Sequence, residues 1–163
     1  MNSIVDHNLP DLQGATLEWG IKESFRTYFE RLPDHRYELS GGARRHGDGQ
    51  IEFGGNLEPS DGYRYVFGGT VQLKAHFDAL SVKIANPVIE RDGDAGTVVL
   101  TAEVDEQDGV PVRMTIAQLH LDSTAPDNLT FRAELAGEGQ YLFMGNYFAG
   151  DPMDPVRVWF RAA

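Results

Sequence analysis

The sequence of 163 residues contains no cysteine. Disulfide bonds, thiolate metal sites, thioether-linked cofactors and cysteine nucleophiles are therefore excluded. Basic residues are also scarce, since 14 Lys and Arg stand against 25 Asp and Glu, which gives a net charge of -11. A surface of this sign repels nucleic acid and anionic membranes, so we expect neither as a partner.

Long apolar runs are missing as well. No stretch approaches membrane-spanning length, and the first residues lack the basic start and apolar centre of a signal peptide. The sequence as given therefore predicts a cytoplasmic protein without membrane insertion, or a secreted one if Met1 is not the natural start. Residues 1–15 mix Asp, Asn, Pro and Gly without a period and are expected to form an N-terminal extension, followed by a single domain over residues 16–163.

The clearest helix signal lies between Ile21 and Leu32. Apolar residues recur there at spacings of three and four, with charged residues between them: Ile21, Phe25, Tyr28 and Leu32. Gly20 can serve as the N-cap, and Pro33 biases the preceding residue away from helical angles. This pattern predicts one amphipathic helix with its apolar face buried.

Ser24 and Tyr28 are four residues apart on this helix, so their side chains project next to each other from the inward or inward-flanking surface. One interpretation is a tyrosine at the edge of the core whose hydroxyl finds a carbonyl, with Ser24 bonded to its own helix. The other is a phenolate metal ligand with a hydroxyl beside it. The spacing is compatible with both.

From Gln50 onward, short apolar runs and period-two patterns alternate with Gly, Asp, Pro and Asn, which is typical of antiparallel sheet. These patterns predict about ten strands: Ile51–Phe53, Tyr63–Phe67, Thr70–Phe77, Leu80–Ala85, Val88–Arg91, Thr97–Val104, Val112–Leu121, Leu129–Leu135, Tyr141–Met144 and Val156–Phe160. A further short strand is expected before them at Tyr37–Leu39. The predicted fold is mainly β (α+β), an antiparallel sandwich or partial barrel with the helix packed against it.

Several motifs resemble the HtaA family, the haem-binding domains of actinobacterial haem-uptake proteins. The segment from Leu17 to Tyr28 resembles the opening signature of that family. The run from Phe67 to Val88 resembles its central hairpin, which carries a histidine near its middle and ends in Asn-Pro. The segments 116–119 and 143–156 agree in the same order, and the resemblance spans about residues 16–160.

The resemblance implies haem b as cofactor, with Tyr28 as a tyrosinate ligand of ferric iron and His76 as a helper that holds the phenolic proton. A free tyrosine has a pKa near 10, so ligation must favour the deprotonated form by about 4 kcal/mol. The other side chains expected around the cofactor are Ser24, Phe25, Trp19 and Tyr147, and Phe67, Phe77 and Phe148 could supply further apolar walls. A glycine-rich loop containing Arg44, Arg45 and His46 is either a flexible hairpin tip or a flap whose arginine meets a haem propionate.

Strand alternation from Thr70 to Phe77 by itself places His76 toward water, whereas the resemblance places it at the haem. The chain also has Ala75 and Asp78 where many relatives carry glycine. His120 is a further strand histidine that could lie opposite the tyrosine.

The resemblance implies a haem carrier, storage or transfer protein, with a haem donor or acceptor protein as a further partner. The alternative is a cytoplasmic haem-dependent enzyme, such as an oxidoreductase or a biosynthetic enzyme, acting on a small-molecule substrate through oxygen, peroxide or nitrogen chemistry. The two readings use the same tyrosinate-ligated haem.

Overall fold

The structure, a computed structural model, describes residues 14–57, 64–92, 96–107 and 110–161. These residues form one α-helix, α1 (Glu23–Glu30), a 3-10 helix (Glu138–Phe143) and eleven strands in one antiparallel sheet. The strands are β1 Gly14–Trp19, β2 Arg36–Ser40, β3 Arg44–Arg45, β4 Ile51–Leu57, β5 Arg64–Gly68, β6 Thr70–Ala75, β7 Leu80–Asp92, β8 Thr97–Gln107, β9 Val110–Ala125, β10 Asn128–Leu135 and β11 Pro152–Arg161. The prediction of a mainly β protein with one principal helix is confirmed.

Eight of these strands close into a barrel. Their order around the ring is β7, β5, β4, β1, β11, β10, β9 and β8, and β8 pairs back with β7. Every strand of the ring therefore has a neighbour on both sides, which removes open edges. The prediction of an antiparallel sandwich or partial barrel is thus confirmed only in part, since the barrel is closed. The β7–β8 pairing that completes the ring contains a bulge that periodicity does not show.

Strand β7 belongs to the barrel and also to a smaller extension. Its second half pairs with β5, whereas its first half pairs with β6, which in turn pairs with β2. Gly69, with φ 120°, separates β5 from β6, and the Asn86 side chain accepts a hydrogen bond from its N–H at 3.1 Å. The strands predicted separately at 80–85 and 88–91 are thus one strand, with Asn86 at the bend. The extension ends at the tight turn His76–Ala79.

The barrel interior is filled by alternate residues of each strand. Along β1, for example, Ala15, Leu17 and Trp19 are fully buried while the residues between them are partly exposed. Large apolar side chains with less than 2 % exposure make up the centre of the core: Trp19, Phe29, Phe53, Phe67, Phe131 and Phe143. Strand β1 was not predicted, because its first residues were assigned to the N-terminal extension.

Helix α1 is shorter than predicted at both ends. Ile21 has φ 67° and Lys22 is extended, so the helix begins only at Glu23 and Gly20 is not its cap. Its buried side chains are Phe25 and Phe29. Phe29 therefore occupies the core position that the sequence pattern gave to Tyr28.

The N-terminus of α1 is held by a side chain from β11. Lys22 makes no capping hydrogen bond, but the carboxylate of Asp154 accepts the N–H of Glu23 at 2.8 Å. The other oxygen of Asp154 lies 3.0 Å from Nη2 of Arg26, whose Nε donates to the Gly20 carbonyl at 2.7 Å. This network attaches the helix to the barrel rim.

The segment predicted as a strand at Tyr141–Met144 lies instead at the end of the 3-10 helix, and Met144 has a left-handed backbone conformation. Ring contacts join this segment to α1, with the centroids of Phe143 and Phe25 5.2 Å apart. None of the helices in the described part of the chain has the length and hydropathy needed to cross a membrane.

Candidate functional site

Tyr28 and His76, which are far apart in the sequence, meet at the surface. Tyr28 lies on the solvent side of α1 and is 48 % exposed. Its hydroxyl oxygen is 3.3 Å from Nε2 of His76, within hydrogen-bond distance. The structure thus brings together the two residues that the sequence predicted as ligand and helper.

His76 reaches Tyr28 from a turn rather than from a strand. Strand β6 ends at Ala75, and the next three residues all have positive φ: His76 (54°), Phe77 (55°) and Asp78 (70°). Strand alternation was therefore the wrong guide to the direction of His76. Because only the residues up to Ala75 follow the pleat, the histidine can turn toward the helix.

Asp34, in the connection between α1 and β2, holds this turn. One carboxylate oxygen accepts the N–H of His76 at 3.0 Å and the other accepts the N–H of Phe77 at 2.7 Å. These two hydrogen bonds, the one from Phe77 being the stronger influence, lower the pKa of Asp34 below its usual range. Sequence reasoning gave no signal for this residue.

Aromatic rings support Tyr28 from below and from the side. Phe25, only 2 % exposed, lies 6.5 Å from the Tyr28 ring and 6.4 Å from the Tyr147 ring, measured between centroids. Tyr147 also makes an edge contact with Phe143 at 5.6 Å. Phe25 therefore underlies the site, whereas the half-buried Tyr147 borders it.

Exposed apolar side chains are concentrated on the segments around Tyr28. Among the described residues, all large exposed hydrophobic side chains except Val110 and Leu121 lie on α1, on the His76–Ala79 turn or near the 3-10 helix: Tyr28, Phe77, Tyr141, Met144 and Phe148. Phe77 is the extreme case at 96 % exposure. Exposed apolar side chains that lie together are a feature of binding surfaces, so these residues are candidates for one. Phe77 and Phe148 were predicted as apolar walls for the cofactor, whereas Tyr141 and Met144 were not. Phe67, which was also predicted there, is buried in the barrel.

Two other predicted site residues differ in their surroundings. Ser24 is exposed one turn before Tyr28, and its hydroxyl has no hydrogen-bond partner among the described residues. Trp19 is fully buried, and its Nε1 donates to the Asp154 carbonyl at 3.0 Å. The structure therefore does not bring Trp19 to the surface around Tyr28, because β1 directs it into the barrel.

The basic loop makes ion pairs of its own. Arg44 and His46 both lie within 2.9 Å of the Glu52 carboxylate, and Arg45 lies 3.2 Å from Glu30. Glu30 is two residues after Tyr28, about 200° around the helix, so Arg45 is on the opposite flank. The hypothesis of a flap reaching a ligand at Tyr28 is not supported by this placement.

The pairing of Glu30 involves Tyr37 as well. The Tyr37 hydroxyl donates to Glu30 at 2.6 Å, and the Arg45 guanidinium lies 4.0 Å from the centre of the Tyr37 ring. Burial, followed by this hydrogen bond, raises the pKa of Tyr37 to about 12. The same hydrogen bond and Arg45 lower the pKa of Glu30.

His120 is also engaged elsewhere. Its Nε2 lies 3.2 Å from Glu134 on the exposed face of β9 and β10. Among the described residues, no hydrogen bond or ring contact joins His120 to Tyr28 or His76. The idea that His120 lies opposite the tyrosine therefore has no support.

An exposed phenol that contacts an imidazole, with a free hydroxyl and aromatic side chains around it, is a candidate binding face for a flat, largely apolar ligand. The fold and this face define a β-barrel domain with a candidate ligand site. The chain belongs to the HtaA family, because the family model described as Htaa matches residues 14–159. The resemblance deduced from the motifs is thereby confirmed.

Solved structures share this fold at low sequence identity. The C-terminal domain of HtaA from Corynebacterium glutamicum is 21% identical, with a TM-score of 0.74 over 93% of this chain and 98% of that chain. The N-terminal domain of the same protein is 19% identical, with a TM-score of 0.72 over 93% and 99%. The heme binding protein HtaB from that organism is 20% identical, with a TM-score of 0.66 over 93% and 95%. No curated protein matches the sequence.

Proposed function

We propose that this protein binds ferric haem b through the Tyr28 phenolate and serves as a haem carrier, store or transfer protein. The observation that carries the proposal is the 3.3 Å contact between the half-exposed Tyr28 hydroxyl and Nε2 of His76. Family membership supports it, as does the likeness in fold to HtaB, a heme binding protein.

The residues present fit haem in chemical type. A phenolate is an anionic oxygen donor, and tyrosine is one of the known axial ligands of haem iron. Exposed rings such as Phe77 and Phe148 offer apolar area for a macrocycle, and the free Ser24 hydroxyl offers a hydrogen bond at its edge. Bound haem would supply a ferric Lewis acid that favours the deprotonated phenol.

His76 is suited to manage the proton of Tyr28. In the neutral tautomer whose proton is on Nδ1, Nε2 of the imidazole can accept a hydrogen bond from the phenol. Once the phenol has lost its proton, the protonated Nε2 can donate to the phenolate oxygen. One imidazole can therefore accept the departing proton and then stabilise the resulting anion.

The carrier function is preferred to the enzyme alternative. The described residues bring together Tyr28 as the proposed iron ligand and His76 as a proton acceptor. None of the contacts among the described residues favours a catalytic role. The proposal includes a protein or small-molecule partner that donates or receives haem at the exposed face. That face is open enough for direct transfer, since Tyr28 is 48 % exposed.

The deciding experiment is a haemin titration of the parent and Tyr28→Phe, followed by absorption spectroscopy and by transfer to apomyoglobin. The phenylalanine keeps the ring over Phe25 and removes the anionic oxygen. We expect the variant to lose the tyrosinate charge-transfer band and at least about tenfold in affinity, with an unchanged far-UV circular dichroism spectrum. The parent should pass its haem to apomyoglobin.

Tyr37→Phe is the matched control, because it removes a hydroxyl on the other flank of α1. It should keep the parent spectrum and affinity. Retention of the parent spectrum by Tyr28→Phe would show that Tyr28 is not the ligand, and a parent that does not bind haemin would end the proposal.

A further inference from the structure

The His76–Ala79 turn has a backbone conformation that its residues disfavour. His76, Phe77 and Asp78 have φ of 54°, 55° and 70°, and none of them is glycine. The left-handed region brings Cβ close to the neighbouring carbonyl, and a bulky residue such as Phe77 is rarely found there. Three such residues in a row persist only if their surroundings hold them.

The segment that follows α1 holds this turn at two points. Asp34 accepts the N–H groups of His76 and Phe77, one with each carboxylate oxygen, at 3.0 and 2.7 Å. Two residues later, Nη2 of Arg36 donates to the Asp78 carboxylate at 2.5 Å. The segment Asp34–Arg36 therefore binds the backbone at the start of the turn and the Asp78 side chain near its end.

The same segment continues directly from the helix that carries Tyr28. Leu32 and His35 link the two parts, because the backbone N–H of His35 donates to the Leu32 carbonyl at 3.2 Å and Nδ1 of His35 donates to the same oxygen at 2.6 Å. Asp34 is thus anchored to the end of α1. A hydrogen bond from Asp34 to the turn fixes the position of His76 relative to Tyr28.

We propose that Asp34 is a positioning residue that holds His76 in hydrogen-bond contact with Tyr28, and that Arg36 assists it through Asp78. Among the described residues, Asp34 makes hydrogen bonds with the backbone of the turn and none with the Tyr28 side chain or the imidazole, although its charge also acts on His76. It acts through the backbone of the turn, which without it would relax toward ordinary φ values and carry the His76 ring away from the phenol. The inference rests on the proposed function for its effect on haem affinity alone.

The first readout needs no haem. In the isotope-labelled parent without ligand, NMR should show cross-relaxation between the ring protons of Tyr28 and His76. Asp34→Ala should abolish that signal, and Asp34→Asn, which keeps one acceptor oxygen, should weaken it. Asp34→Ala combined with Phe77→Gly should restore part of it, because glycine adopts a φ of 55° without strain and the contact between Arg36 and Asp78 stays intact.

The second readout is haem affinity. We expect Asp34→Ala to lose about tenfold, in the range typical of groups that orient a ligand. Asp48→Ala is the matched control, since Asp48 also accepts a backbone N–H in a turn, that of Gln50 at 3.0 Å. It should leave both readouts unchanged.

The two proposals fail separately. If the Tyr28–His76 signal survives in Asp34→Ala, Asp34 is not a positioning residue, whatever the haem titration shows. If Asp34→Ala loses the signal and the parent does not bind haemin, the positioning role stands and the proposed function falls. A loss of signal that Phe77→Gly fails to restore, in a variant with a normal thermal midpoint, would overturn the role assigned to the turn's backbone conformation.

Discussion

Replacing Asp154 should detach the N-terminus of α1 from the barrel. The side chain has two functions: one oxygen caps the N–H of Glu23, and the other pairs with Arg26. The two side chains of the pair are only 15% and 11% exposed, so removing one partner leaves a charge largely out of water. Asp154→Asn can keep the cap and lose the pair, whereas Asp154→Ala loses both.

The expected magnitudes follow from these two functions. A buried charge left without its partner costs about 3–5 kcal/mol and an exposed one less than about 1, so a pair at the rim should be worth about 2 kcal/mol. The lost cap adds about 1 kcal/mol. We therefore expect Asp154→Asn to lower the free energy of unfolding by about 2 kcal/mol and Asp154→Ala by about 3 kcal/mol. The latter corresponds to a fall of about 6–12 °C in the thermal midpoint for a domain of this size.

Urea unfolding followed by tryptophan fluorescence measures these differences. A cycle with Arg26→Met and the double variant isolates the pair, and its coupling energy should be about 2 kcal/mol. Glu134→Gln, which breaks the exposed Arg132–Glu134 pair, should leave the urea midpoint unchanged. Equal stabilities of Asp154→Asn and the parent, or a coupling energy near zero, would show that the Arg26–Asp154 pair does not stabilise the attachment of α1 to the barrel.

The remaining predictions concern His76 and Tyr37. His76→Ala should weaken haem binding by about 10- to 100-fold, less than Tyr28→Phe does, and make it more pH-dependent; equal affinities from pH 6 to 9 would remove His76 from the site. The parent should lose stability between pH 10 and 12, because a free tyrosine binds its proton less tightly than Tyr37, whose pKa is about 12. Tyr37→Phe should flatten that decline in urea titrations, and an unchanged decline would contradict the assignment.

The contacts of Glu30 with Tyr37 and Arg45 should also affect the stability of the protein at acidic pH. The pKa of Glu30 is lowered from its usual value of 4.5, chiefly by the Tyr37 hydroxyl. A carboxylate of this kind contributes its stability above its unfolded pKa, and that stability is lost as the pH falls through the folded value. Tyr37→Phe should therefore also reduce the loss of stability below pH 4.5.

Local patterns in the sequence predicted most of the elements, whereas the resemblance to the family, and not these patterns, predicted the central pair of the candidate site. The apolar spacing placed a helix near Phe25, and alternation placed most strands within a few residues of their bounds. The apolar spacing could not decide whether Tyr28 or Phe29 is buried, because they lie three and four residues after Phe25 and both spacings fit one helix face. Packing against Tyr37 and His35, at 5.3 and 5.4 Å, decides for Phe29.

Long-range contacts could not be predicted. Asp34 bonds to a turn 42 residues away, and Asp154 caps a helix 131 residues away. In the sequence both look like ordinary acidic loop residues. The conformation of the His76–Ala79 turn was hidden for a related reason, because it depends on Asp34 and Arg36 rather than on glycine within the turn.

The pairing of β1 with β11 has a consequence for the order of events during folding. It joins Gly14 to Arg161, the two ends of the described chain, and Asp154 on the same β11 strand holds the helix that carries Tyr28. Contacts between distant parts of a chain form slowly, because the closure of a long loop must precede them. A ribosome-bound chain still lacking β11 would contain Tyr28 and His76 but not the seam that fixes the helix. Haem binding, as proposed, should therefore require that β11 has been synthesised and paired, and chains truncated before Asp154 should fail to bind haemin.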